Sequence, residues 1–169
     1  MLKLRSRSKV DTKAIAAELA RLSRIDDVIL LEGEMGAGKT VFAQGFGEAL
    51  GVDEPVTSPT FNLVHTYDSG RIVLHHADLY RLDRTTEVSD LALGELVEGD
   101  GVLLIEWGEA AADILVDHLD IRLEPIVGAD GESFGDERSI TMTARGDSWT
   151  RRWPMLETAL QPWICAAES

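Results

Sequence analysis

Leu30-Leu31-Glu32-Gly33-Glu34-Met35-Gly36-Ala37-Gly38-Lys39-Thr40 is the stretch on which the reading of this chain turns. From Gly33 to Thr40 it fits G-x-x-x-x-G-K-[ST], the pattern of a P-loop that cradles phosphates. Gly36 and Gly38 carry no Cβ, so successive backbone N–H groups can turn inward around a phosphate chain. Lys39 can then neutralise β- and γ-phosphates, while the Thr40 hydroxyl can take one position on Mg²⁺. The flanks suit this reading. Val28-Ile29-Leu30-Leu31 has the look of a buried strand, and Val41 to Leu50 carries apolar residues at helical spacing. A helix starting there aims its positive end at the phosphates. A glycine-rich turn that binds nothing is the plain alternative, and the Lys39-Thr40 pair argues against it. The nucleotide-contacting stretch is therefore expected to comprise Gly33, Glu34, Met35, Gly36, Ala37, Gly38, Lys39, Thr40 and Val41.

Outward from the loop, a chain of 169 residues is long enough to bury a full core as one domain, without metal or disulfide staples. Its 44% hydrophobic content and mean hydropathy of -0.04 are those of a globular protein. A lone cysteine, Cys165, excludes an internal disulfide framework, and no disulfide-linked partner is expected. No segment approaches the roughly 18 apolar residues of a membrane span or shows the apolar run of a signal peptide, so a cytoplasmic location is expected. The formal charge of -14 repels nucleic-acid phosphates, so any service to an RNA pathway is expected to run through a protein partner. The basic cluster Lys3, Arg5, Arg7 and Lys9 reads as a solvated, flexible arm over residues 1–9.

In chain order, Ile15, Leu19 and Leu22 predict a helix from Asp11 to Ser23, with Asp11 or Thr12 as its cap. After the loop and its helix, which should end at Gly51, comes an irregular stretch, Asp53 to Thr60, with Pro55 and Pro59. Phe61 to Tyr67 and Arg71 to Ala77 read as strands joined by Asp68-Ser69-Gly70. Asp83 to Leu96 is expected to be partly helical, Val102-Leu103-Leu104-Ile105 a fully buried strand and Ala110 to His118 a short helix. Asp120 to Glu124 and Ser139 to Ala144 are further strands, separated by an acidic, glycine-rich segment expected to be a mobile loop over 126–138. Trp149, Trp153, Leu156 and Leu160 form one apolar face of a last helix, with Pro154 weighing against a start before it. The fold class is α/β: a single P-loop NTPase domain over 1–169, with a mostly parallel central sheet, an antiparallel hairpin and flanking helices.

Chemistry needs acids near the terminal phosphate. Mg²⁺ takes hard oxygen ligands and keeps several waters, so one or two carboxylates at strand ends suffice. Asp78 and Glu106 each follow an apolar strand, and ligands of open α/β sheets sit outside the carboxyl ends of the strands. Glu106 occupies the place of a Walker B acid; a water-exposed strand end is the bland reading for it, and a turn or cap for Asp78. Thr60 can offer a second hydroxyl to metal or phosphate, or serve only its own loop. His65, His75 and His76 lack the accompanying ligands of a zinc set and read as core or surface histidines.

Three further motifs follow the loop in order: Ser58-Pro59-Thr60-Phe61, His76-Ala77-Asp78-Leu79-Tyr80-Arg81 and Ile105-Glu106-Trp107-Gly108-Glu109. This succession closely resembles the bacterial TsaE (YjeE) family, over roughly residues 10–125, and four ordered motifs are far more specific than one. The resemblance implies a Mg²⁺-dependent ATPase that acts with a TsaB–TsaD heterodimer in making threonylcarbamoyladenosine in tRNA, touching tRNA only through that complex. It implies that Lys39 and Thr40 hold phosphate and Mg²⁺, that Thr60 belongs to a switch-like loop, that Asp78 serves the metal and that Glu106 is the acid at the hydrolytic end. Lys39, Asp78 and Glu106 are thus the expected catalytic residues, and Thr40, Asp78 and Glu106 the expected metal ligands. Trp107 is expected to support the site by packing or partner contact, and Met35 replaces a usual leucine with a residue of similar volume.

Two other functions stay open on the sequence. A small-molecule P-loop kinase would need an arginine-bearing lid, and no arginine cluster stands where a lid would lie. A non-catalytic, nucleotide-dependent binding module would bind partners with ATP but release no phosphate. GTP is disfavoured by the lack of an Asn-Lys-x-Asp set.

Overall fold

The computed structural model describes residues 1–59, 63–80, 93–107, 111–113, 115–128, 131 and 133–165. Its strands are β1 (Leu2–Ser6), β2 (Val28–Glu32), β3 (Val64–Tyr67), β4 (Val73–Asp78), β5 (Gly101–Glu106), β6 (His118–Val127) and β7 (Ser133–Arg145). The described helices are α1 (Lys9–Leu22), α2 (Lys39–Leu50), α3 (Leu93–Val97) and α4 (Asp147–Leu160), followed by a 3₁₀ turn at Gln161–Trp163. All seven strands join in one sheet, ordered β1-β7-β6-β2-β5-β4-β3. None of the described helices is long and apolar enough to cross a membrane.

β2 and β5 have no polar side chain before their terminal acids because both faces of the sheet are covered there. Ile29 and Leu31 of β2 join the core that includes Ile15, Leu19, Phe42, Phe46, Trp149 and Leu156, from α1, α2 and α4. Val28 and Leu30 point the other way, into a smaller core with Leu93, Leu103, Ile105 and Ala111. Helix α1 begins at Lys9, one residue after its cap, Ser8, whose hydroxyl accepts the Asp11 N–H at 3.1 Å; the cap is neither Asp11 nor Thr12. The Asp11 carboxylate turns back to accept the Arg7 N–H instead, at 2.9 Å. The predicted stripe on α4 is borne out: Trp149, Leu156 and Leu160 are fully buried, and Trp153 packs at their edge. Pro154 lies inside this helix, which starts well before it.

Several expectations are corrected. Residues 1–9 are not a free arm: Leu2 to Ser6 pairs antiparallel with β7, and the Cys165 N–H donates to the Lys3 carbonyl at 2.9 Å on the other side. The basic cluster hid a period of two, since Leu2, Leu4 and Ser6 face inward while Lys3 and Arg5 face out. Nor is the expected loop over 126–138 loop throughout. β6 runs to Val127 and β7 starts at Ser133; the regular register holds as far as Pro125 opposite Arg138, and a shift beyond it sets Val127 opposite Ser133. Gly131, Gly135 and Asp136 are exposed in this stretch. The sheet is also less parallel than expected: three of its joins are parallel and three antiparallel. Residues 111–113 form a turn, not the helix expected over Ala110 to His118, and His118 already opens β6. Of the helix expected over 83–96, the structure describes only α3; residues 81–92 lie outside the described residues, as does the start of the strand expected from Phe61.

Candidate functional site

β2, β4 and β5 are parallel neighbours, so their carboxyl ends open on the same side. The register sets Asp78 directly beside Glu106, and Glu106 beside Leu31 at the mouth of the glycine loop. Two acids more than twenty residues apart in the chain thus reach one level of the sheet. The loop from Gly33 links β2 to α2 and needs backbone that only glycine adopts freely: Gly33 has φ of 141° and Gly38 of 106°. At Gly33 a side chain is also excluded by space, since a Cβ would stand 2.4 Å from the Leu123 carbonyl oxygen.

A cavity of about 330 Å³ gathers most of the residues singled out from the sequence. Met35, Gly36, Gly38, Lys39, Thr40 and Val41 form one wall, and Ser58, Asp78, Tyr80, Glu106 and Trp107 the other. Gly33 and Glu34 border a second hollow of about 470 Å³, shared with Trp107 and the Arg122–Pro125 stretch of β6. Ala37 is the exception among loop residues, because its side chain is buried in the main core. Thr60 lies outside the described residues.

Within the cavity, the Lys39 ammonium donates to the Gly33 and Glu34 carbonyls at 2.5 and 2.9 Å. The Trp107 ring covers it, with Nζ 3.9 Å from the ring centroid, a cation–π contact. Trp107 holds this position with φ of 60°, a left-handed backbone that costs a bulky residue strain and concentrates at functional sites. Thr40 Oγ1 lies 3.4 Å from Glu106 Oε1. Asp78 is held through both oxygens: Oδ2 accepts the Ser58 hydroxyl at 2.5 Å and Oδ1 the Tyr80 N–H at 3.0 Å.

Glu106 is buried, and its Oε1 lies 2.9 Å from Nε2 of the fully buried His76. A carboxylate accepts, so an imidazole proton stands on Nε2, and Nδ1 has no hydrogen-bond partner among the described residues. His76 was read from the sequence only as a core or surface histidine, and its burial is as expected. Its bond to Glu106 was missed, although its place two residues before Asp78 on the same strand was the available signal. Ser58 was missed as well, despite standing in a quoted motif. A third omission, Arg138, reaches the loop from β7 and had no signal in the sequence.

Chemically, the loop end of α2 supplies backbone N–H groups and the positive end of a twelve-residue helix, which suits an anion. Thr40, Asp78 and Glu106 supply an all-oxygen donor set of the hard kind that Mg²⁺ prefers. The family model described as threonylcarbamoyl adenosine biosynthesis protein TsaE matches residues 6–130. The tRNA threonylcarbamoyladenosine biosynthesis protein TsaE of Bacillus subtilis is 40% identical over 148 residues, 88% of this chain and 89% of its own length. That of Treponema pallidum is 40% identical over 126 residues, 75% of this chain and 92% of its own. The crystal structure of Bacillus subtilis YdiB superposes with a TM-score of 0.72 at 36% identity, covering 95% of this chain and 94% of that one. A family model that spans most of the chain, the glycine loop and both strand-end acids included, and relatives 40% identical across it show that the chain belongs to the TsaE family of tRNA threonylcarbamoyladenosine biosynthesis proteins.

Proposed function

We propose that this protein binds ATP with Mg²⁺ at the glycine loop and hydrolyses it in the service of threonylcarbamoyladenosine formation on tRNA, acting with TsaB and TsaD. The observation that carries the reading is the single cavity in which Lys39, Thr40, Asp78 and Glu106 converge on one helix N-terminus. In this reading the stretch from Gly33 to Thr40 is a P-loop, and its backbone N–H groups bind the phosphates. Lys39, already in the cavity wall, exchanges its carbonyl partners for phosphate oxygens. Thr40, Asp78 and Glu106 would hold Mg²⁺, and once bound the ion neutralises charge on the β- and γ-phosphate oxygens. Glu106 orients the attacking water and draws off its proton, with His76 fixing the carboxylate's Oε1. Asp78, locked by Ser58 and Tyr80, keeps its place without reorganising. Turnover by the isolated chain is expected to be slow, with TsaB–TsaD completing the site.

Two measurements test this. Calorimetry should find ATP uptake that requires Mg²⁺. Phosphate release should rise when TsaB, TsaD and tRNA are added; no binding and no release under either condition would overturn the reading.

A further inference from the structure

Arg138 lies on β7, outside the span matched by the family model, and 101 residues from the loop it touches. Its Nε donates to the Ala37 carbonyl at 2.8 Å and its Nη2 to the Gly36 carbonyl at 3.2 Å. The remaining amine is anchored at home, with Nη1 donating to the Gly135 and Glu137 carbonyls at 2.7 and 2.8 Å. Glu137 does not neutralise it, because that carboxylate is turned to Arg5 at 2.6 Å. The guanidinium is thus a rigid fork set between the hairpin end and the outer side of the glycine loop.

In a planar trans peptide the C=O and the following N–H point to opposite sides. Holding the Ala37 carbonyl toward β7 therefore turns the Gly38 N–H to the other face of the loop, at the start of α2. Glycine supplies no side chain to hold this orientation, and at Gly38 an added Cβ would meet Arg138 Nε at 3.8 Å. A hydrogen bond to a cation also polarises the Ala37–Gly38 peptide unit, which strengthens the Gly38 N–H as an anion donor, while the Ala37 N–H is taken by the Glu34 carbonyl at 3.0 Å. We propose that Arg138 is a positioning residue for the phosphate-binding loop, holding the Gly36 and Ala37 carbonyls back so that the loop keeps its shape and the Gly38 amide is preset for the anion. This rests on the ATP-binding reading given above.

The experiment compares wild type with Arg138→Met, Arg138→Lys and Glu137→Gln, the last removing the neighbouring Arg5 ion pair without touching the loop. With Mg²⁺ present, Arg138→Met should bind ATP about tenfold more weakly, the size expected for losing charge-assisted hydrogen bonds. Arg138→Lys should recover part of the loss, since an ammonium can meet one carbonyl but cannot fork across two. Glu137→Gln should bind as wild type does. Hydrogen exchange without nucleotide should speed up over residues 34–40 in Arg138→Met, less so in Arg138→Lys and not in Glu137→Gln. Wild-type affinity in Arg138→Met, an equal loss in Glu137→Gln, or unchanged exchange at 34–40 would each overturn the proposal. If wild type itself takes up no ATP, the proposed function fails, while the exchange measurement still decides whether Arg138 sets the loop.

Discussion

The two flanks of β2 are built differently. On one side β5 and β4 are six-residue strands, parallel to β2, almost wholly buried, each ending in an acid. On the other, β6 and β7 form a hairpin of ten- and thirteen-residue strands edged by β1, with charged side chains alternating outward. The short flank presents carboxylates to the cavity, whereas the long flank presents Arg138 to the back of the loop. The difference teaches that the cavity's carboxylates and the contact behind its glycine loop come from opposite sides of one strand. Buried strands need no side-chain chemistry along their length, so function collects at their tips; the half-exposed hairpin can spend any outward position on a contact.

The sharpest way to break this division is at the acid. Glu106→Gln should lower phosphate release in the presence of TsaB, TsaD and tRNA by about 10²–10⁴-fold while ATP still binds; near-normal release would remove Glu106 from the chemistry. Next in size is a purely structural loss on the helical face. Arg152 and Asp27 form a buried, two-pronged ion pair at 2.5 and 2.7 Å that ties α4 to the turn before β2. Arg152→Ala should cost about 3–5 kcal/mol in denaturant unfolding, because it strands a buried carboxylate; a cost under about 1 kcal/mol would place that anchor elsewhere.

A smaller effect is expected one shell behind the acid. His76→Leu should slow phosphate release by about 10–100-fold, as for groups that orient a catalytic ligand, with His76→Gln restoring part of it through its amide donor. Equal rates in both variants and wild type would show that Glu106 needs no such support. The weakest effect belongs to the hairpin surface. Glu137→Gln, which breaks a pair with Arg5 that is half exposed on the arginine side, should change stability by less than about 1 kcal/mol in thermal unfolding. A larger change would mean that β1 is held chiefly by charge and not by its backbone ladder.

Much of the short flank was legible from residue order alone. The run Val102 to Ile105 followed by Glu106 could only be a buried strand with an acid at its tip, and the strand–loop–helix around Gly33 to Thr40 is contiguous in the chain. The long flank was misread at both ends. Leu2 and Leu4 were masked by the basic residues between them, and the acidic, glycine-rich stretch after Pro125 looked like loop although β7 begins at Ser133.

By itself, then, the sequence determined the glycine loop, the helix behind it and the acids at two strand ends, because each depends on neighbours within a few residues and on hydrophobic periodicity. Tertiary structure alone decided that His76 meets Glu106, that Ser58 meets Asp78 and that Arg138 meets Gly36 and Ala37. Those contacts depend on how strands and loops distant in the chain are set against one another. A shift of one residue along β7 would carry Arg138 to the opposite face of the sheet and away from the loop.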